Sequence, residues 1–77
     1  MPAVTYGDFR VVLQRAGFAL IRSRKHETWE KTLPTGEILQ VRLSHQYGRD
    51  IPTRLFHQML RQAHVTQVEF FALLRQG

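Results

Sequence analysis

The chain has 77 residues, so residues 1–77 have room for a single domain with a thin stability margin, not for two cores. It has no cysteine, which removes disulfides, thiolate catalysis and cysteine-based zinc sites, and no apolar run nears the roughly 20 residues that a membrane helix needs. Eleven Lys and Arg against six acids give a formal charge of +5, and nine of the eleven are Arg, whose planar fork suits phosphate; the balance is that of a basic protein without a special partner, or of one that meets nucleic acid or an acidic protein.

The opening residues MPAVTYGDFR lack a basic flank followed by an apolar block, so no signal peptide is expected, and the missing cysteines suit a reducing cytoplasm. Residues 5–16 read as a helix. Thr5 and Asp8 make a capping box, Val4 and Phe9 a hydrophobic staple, and Phe9, Val12, Leu13 and Ala16 an apolar stripe. Gly17 can take the left-handed stop, which would fold Phe18 back toward Leu13.

Three short strands follow, over 18–22, 26–33 and 37–43. The L-P-T-G of residues 33–36 makes a tight turn between the last two. Strand three alternates, with Leu39, Val41 and Leu43 on one face and Ile38, Gln40 and Arg42 on the other. In strand two, Trp29 and Leu33 occupy odd positions, while His26, Thr28, Glu30 and Thr32 occupy even ones. A core-facing Trp29 therefore places His26 on the polar face, unless a bulge near residue 25 shifts the register.

After a polar loop over 44–51, Pro52 suits a first helical position and Asp50 a favourable charge near that helix start. Leu55, Phe56, Met59, Leu60 and Ala63 form its apolar stripe. A last helix starts at Thr66, with Glu69 closing a second capping box, Val65 and Phe70 a second staple, and Phe70, Phe71, Leu73 and Leu74 as its buried face. The order is helix, three antiparallel strands, helix, helix. The helices must cover one sheet face, because a small sheet alone is not stable. The expected class is α+β, a dsRBD-like α-β-β-β-α sandwich with a short extra C-terminal helix.

In chain order, "LQRAGFALIRSR", "KHETW" and "LSHQYGRDIPTRLFHQMLRQAHVTQVEFFALL" resemble the HicA family of mRNA-cleaving toxins from bacterial toxin–antitoxin pairs. The last stretch is the most specific. The resemblance implies the dsRBD-like fold, endoribonuclease (mRNA interferase) activity on mRNA, a cognate HicB-like antitoxin, no small-molecule cofactor, and a catalytic histidine at His26. Two places in the chain depart from the family pattern. Arg24-Lys25 precedes His26 where the family usually has Gly-Ser, and His64 replaces a glycine after the second helix.

His26 is the first candidate for chemistry. A histidine at a strand start is ordinarily structural, but this one follows Arg22, Arg24 and Lys25 and shares the polar face. RNA cleavage without metal needs a base for the 2′-hydroxyl and an acid for the leaving oxygen, and histidine suits either near neutral pH. Arg22, Arg24 and Lys25, and Arg42 if the register places it beside His26, are candidates for binding RNA phosphate; the alternative is a solvated, charged hairpin. His45 is a possible second acid–base group, or simply a polar loop residue. Tyr47 can stack on a base, Trp29 fits the core better than a base platform, and His57 sits at the boundary of a helix stripe. Four histidines without a close H-x-H or H-x-x-x-H pair give no metal signal. Two readings without catalysis compete with the nuclease: an RNA-binding module and a protein-interaction subunit.

Overall fold

The computed structural model describes residues 3–76. Its elements are α1 (Tyr6–Arg15), β1 (Ala19–Ser23), β2 (Glu27–Thr32), β3 (Ile38–Leu43), α2 (Thr53–Ala63) and α3 (Gln67–Leu74). The class is α+β: a three-stranded antiparallel sheet, ordered β1-β2-β3, with three helices. Among the described residues no helix is long and apolar enough to cross a membrane.

Both capping boxes form. The Thr5 hydroxyl accepts from Asp8 N–H at 3.1 Å and the Asp8 carboxylate accepts from Thr5 N–H at 3.1 Å. Thr66 and Glu69 repeat the arrangement. The hydrogen bonds with Thr66, the backbone one foremost, hold the Glu69 carboxyl below its ordinary value.

Helices α1 and α2 stop in the same way. Phe18 N–H returns to Leu13 O and Gly17 N–H to Gln14 O; Val65 N–H returns to Leu60 O and His64 N–H to Arg61 O. Each stop needs a left-handed residue, which is Gly17 at φ 94° in one and His64 at φ 55° in the other. A side chain in that conformation costs about 1–2 kcal/mol, partly offset by the greater unfolded-chain freedom of glycine. His64→Gly should therefore stabilise the fold by about 0.5–1 kcal/mol and raise the melting temperature by roughly 2–8 °C. An unchanged or lower melting temperature would contradict the strain at His64.

The core lies between the helices and one sheet face. Trp29, Leu39, Val41 and Leu43 supply the sheet side. Phe9, Phe56 and Phe70, one from each helix, meet with ring centroids 5.0–6.1 Å apart. Such aromatic pairs add about 0.5–1.5 kcal/mol each beyond their buried area. The Arg15 guanidinium donates to Leu73 O at 2.7 Å and Leu74 O at 3.0 Å, adding to the backbone bond that Leu73 O takes from Gln76 N–H at the end of α3.

Three expectations need correction. Leu55 is 37 % exposed, so it stands outside the α2 stripe. Phe71, Leu73 and Leu74 are only half-buried, because α3 lies at the margin of the core with Phe70 alone fully inside. Pro52 is the N-cap of α2, with no side-chain cap, and Asp50 lies outside the first turn. Asp50 instead bridges to Thr5 through the backbone, beside the bond from Ile51 N–H to Val4 O at 2.7 Å. That pairing ties the 44–51 loop to the start of α1.

Candidate active site

Regular alternation along β1 would put Leu20 and Arg22 on the same sheet face. The pairing does not allow it. Leu20 is opposite Trp29, but Arg22 is opposite Thr28, so the register shifts by one at Ile21. Directly paired residues share a face. The bulge thus leaves Leu20 on the helix side and turns Arg22 to the open side. Thr28 in turn pairs with Arg42. Arg22, Thr28 and Arg42 therefore form one row across all three strands. At ~4.8 Å per strand, the two arginine backbones lie roughly 10 Å apart, within reach of a shared anion. The next row on this face, Ala19, Glu30 and Gln40, carries no cation, so the positive charge of the open face is gathered at one end.

His26 sits at that end. It lies in the bend over 24–26 that joins β1 to β2, one residue before the strand, and is exposed. Ser23 pairs with Glu27, so three residues close the hairpin. Among the described residues His64 is the only non-glycine with positive φ, so Arg24, Lys25 and His26 make this bend without left-handed backbone. The turn has no conformational need for the absent glycine. Arg22, Arg24, Lys25, His26, Thr28 and Arg42 line one open cavity of about 340 Å³. All five of the sequence's leading candidates are thus brought together.

Behind this surface lies a buried ion pair that neither composition nor charge announced. Arg10 donates from Nε to Glu27 Oε1 at 2.8 Å and from Nη2 to Glu27 Oε2 at 3.0 Å. Arg10 is 6 % exposed and Glu27 3 %. The remaining guanidinium donors go to Gln46 O at 2.6 Å and Ser44 O at 2.5 Å, and the Tyr47 ring lies 3.8 Å from the guanidinium carbon. Trp29 Nε1 donates to Glu27 at 3.0 Å. Burial pushes the Glu27 carboxyl up, but the hydrogen bonds from Arg10 and Trp29 and the nearby charges outweigh it, so the carboxyl stays below its ordinary value. The loop is also stitched to α1 by bonds from Tyr6 N–H to Arg49 O and from Gly7 N–H to Tyr47 O at 2.8 Å. A Cβ at Gly7 would meet that Tyr47 oxygen at 3.2 Å, so glycine permits the close approach. A sequence signal for the pair did exist. Arg10 stands one turn after Tyr6 in a helix whose Phe9 and Leu13 are core, and Glu27 shares the face of Trp29.

His45 belongs to this inner network rather than to the cavity. Its Nε2 bonds the Arg24 carbonyl at 2.5 Å, and its Nδ1 lies 3.7 Å from Glu27 Oε2. Both ring nitrogens therefore face protein groups, and His45 is absent from the linings of the cavities that meet at His26. Through that first bond His45 holds the Arg24 end of the bend that carries His26. Tyr47 is exposed but has one ring face against Arg10, Trp29 is core, and His57 is an exposed residue beside Phe56. Among the described residues no three His, Asp or Glu side chains gather as a metal-holding group. No protein-family model, curated protein or solved structure matches the chain.

Proposed function

We propose that this protein is an endoribonuclease that cleaves single-stranded mRNA without a metal ion, as the toxin half of a toxin–antitoxin pair. The observation that carries the reading is the row of Arg22, Thr28 and Arg42 on an open sheet face with His26 beside it. The α-β-β-β-α order, that of a dsRBD-like sandwich, and the resemblance to HicA toxins support it.

In this reading a phosphodiester lies across Arg22 and Arg42, and His26 takes the proton from the neighbouring 2′-hydroxyl. The freed O2′ attacks phosphorus, and the P–O5′ bond breaks. The products are a 2′,3′-cyclic phosphate and a 5′-hydroxyl. The arginines stabilise the extra negative charge of the five-coordinate phosphorane, a charge-matching role in which rigid, preset donors are most effective. The leaving oxygen takes its proton from a second acid, for which His45, the Lys25 ammonium and solvent are the candidates. A cognate HicB-like antitoxin would cover the same basic end, and an acidic surface on it would speed association.

Incubating the purified protein with end-labelled mRNA in EDTA tests the reading. Fragments ending in cyclic phosphate are the expected result. Intact RNA that is shifted on a gel would favour the RNA-binding module instead. Absence of any RNA affinity at low salt would leave only a protein partner for the basic face. The arginine row makes a separate prediction. Arg22→Gln and Arg42→Gln should each reduce the slope of log affinity against log salt by about 0.7–1, with the fold unchanged. An unaltered slope would remove that arginine from the phosphate contacts.

A further inference from the structure

Two cavities meet at His26 and Arg42. The first is the cation-lined one. The second, of about 250 Å³, runs from those two residues over the end of β3 toward α2, and its other lining residues are Tyr6, Leu43, Ser44, Leu55 and Met59. Its floor is largely apolar and packed into the core: Tyr6, Leu43 and Met59 are 8 %, 2 % and 2 % exposed. Leu55, which left the α2 stripe, forms an exposed wall. Such a lining is wrong for phosphate, which would lose its hydration against carbon. It is right for a flat, weakly polar ring with hydrogen-bonding edges, for which the Tyr6 and Ser44 hydroxyls are suitable partners.

A ligand that occupies both cavities must carry an anion on one side and an apolar plate on the other, one short linker apart. A nucleotide has that layout, with its base one ribose from its phosphate. We propose that the second cavity is a nucleobase subsite, which seats the base of the nucleotide whose phosphate lies on Arg22 and Arg42. Arg42, shared by both cavities, is placed to stack its guanidinium plane on that base, as arginine commonly does with unpaired RNA. The inference rests on the RNA reading of the His26 site and assigns to it a base-dependent grip that phosphate contacts alone do not supply.

The test is an NMR titration of the whole protein with adenosine 3′-phosphate, uridine 3′-phosphate and ribose 5-phosphate, none of which has a phosphodiester to cleave. All three should shift the Arg22, His26 and Arg42 signals. Only the nucleotides should shift the Leu55 and Met59 methyl groups, and at least one should bind about 10-fold more tightly than ribose phosphate, the scale of one stacking contact. Leu55→Ser, at an exposed position, should abolish that advantage while the spectrum stays folded. Equal affinity for all three ligands, or quiet Leu55 and Met59 methyls, overturns the subsite while the phosphate site stands. No shift at Arg22, His26 or Arg42 with any ligand overturns both.

Discussion

Arg10→Met should destabilise the protein by about 3–5 kcal/mol, because it leaves the Glu27 carboxylate buried without its partner. For 77 residues, total stability is of the order of 4–12 kcal/mol, so much of the population should unfold at moderate temperature. The second replacement decides the cause. Arg10→Met combined with Glu27→Leu removes both charges and should recover most of the loss, since an apolar pair of similar volume often equals a buried ion pair. If the double variant were as unstable as the single one, the loss would come instead from the released Ser44 and Gln46 carbonyls and the Trp29 indole N–H left without its acceptor.

The pH dependence separates the same causes by sign. In the wild type the Glu27 carboxyl is lowered from 4.5, so its contribution is complete above that value and is lost as pH falls through the lower folded value. In Arg10→Met, desolvation dominates and raises the carboxyl above its unfolded value. Its contribution is then present in acid and lost as pH rises. Chemical denaturation between pH 3 and 7 should therefore show stability rising with pH in the wild type. The variant should show a flatter or reversed trend. Parallel curves would exclude Glu27 as the source.

The second large effect is chemical. His26→Ala should slow RNA cleavage by about 10²–10⁴-fold, the usual contribution of a positioned acid–base group, with melting temperature nearly unchanged because the side chain is exposed. On the proposed reading RNA affinity should persist, since the phosphate contacts are assigned to the arginines. Induction of the wild-type gene in a bacterium without antitoxin should arrest growth, whereas His26→Ala should not. Equal toxicity and identical RNA ends from the two forms would remove His26 from the chemistry.

Local chemistry made much of this legible. The two capping boxes, the Gly17 stop and the alternation of Leu39, Val41 and Leu43 each depend on residues within a few positions of one another, and each formed. His64 taking the left-handed place belongs with them, since the bonds of that helix end, spanning three and five residues, are also local. These features determined the element order and put Trp29 inside and His26 outside.

What the tertiary structure alone decided involves pairs far apart in sequence. Arg22 reaches the open face because the β1–β2 pairing shifts at Ile21, and no residue type there announces a bulge. Arg10 and Glu27 neutralise each other across 17 positions, which withdraws one arginine from the basic surface that composition had credited to a partner. His45 is drawn to Arg24 and Glu27 rather than to the cavity for the same reason: a hydrogen bond depends on where the fold brings two groups. The chain by itself specified which residues carry charge and which faces β2 and β3 turn inward. Only the packed sheet determined which charges line the open face and which hold the loop behind it, because a strand pleat repeats every two residues but strand register and burial are set by distant neighbours.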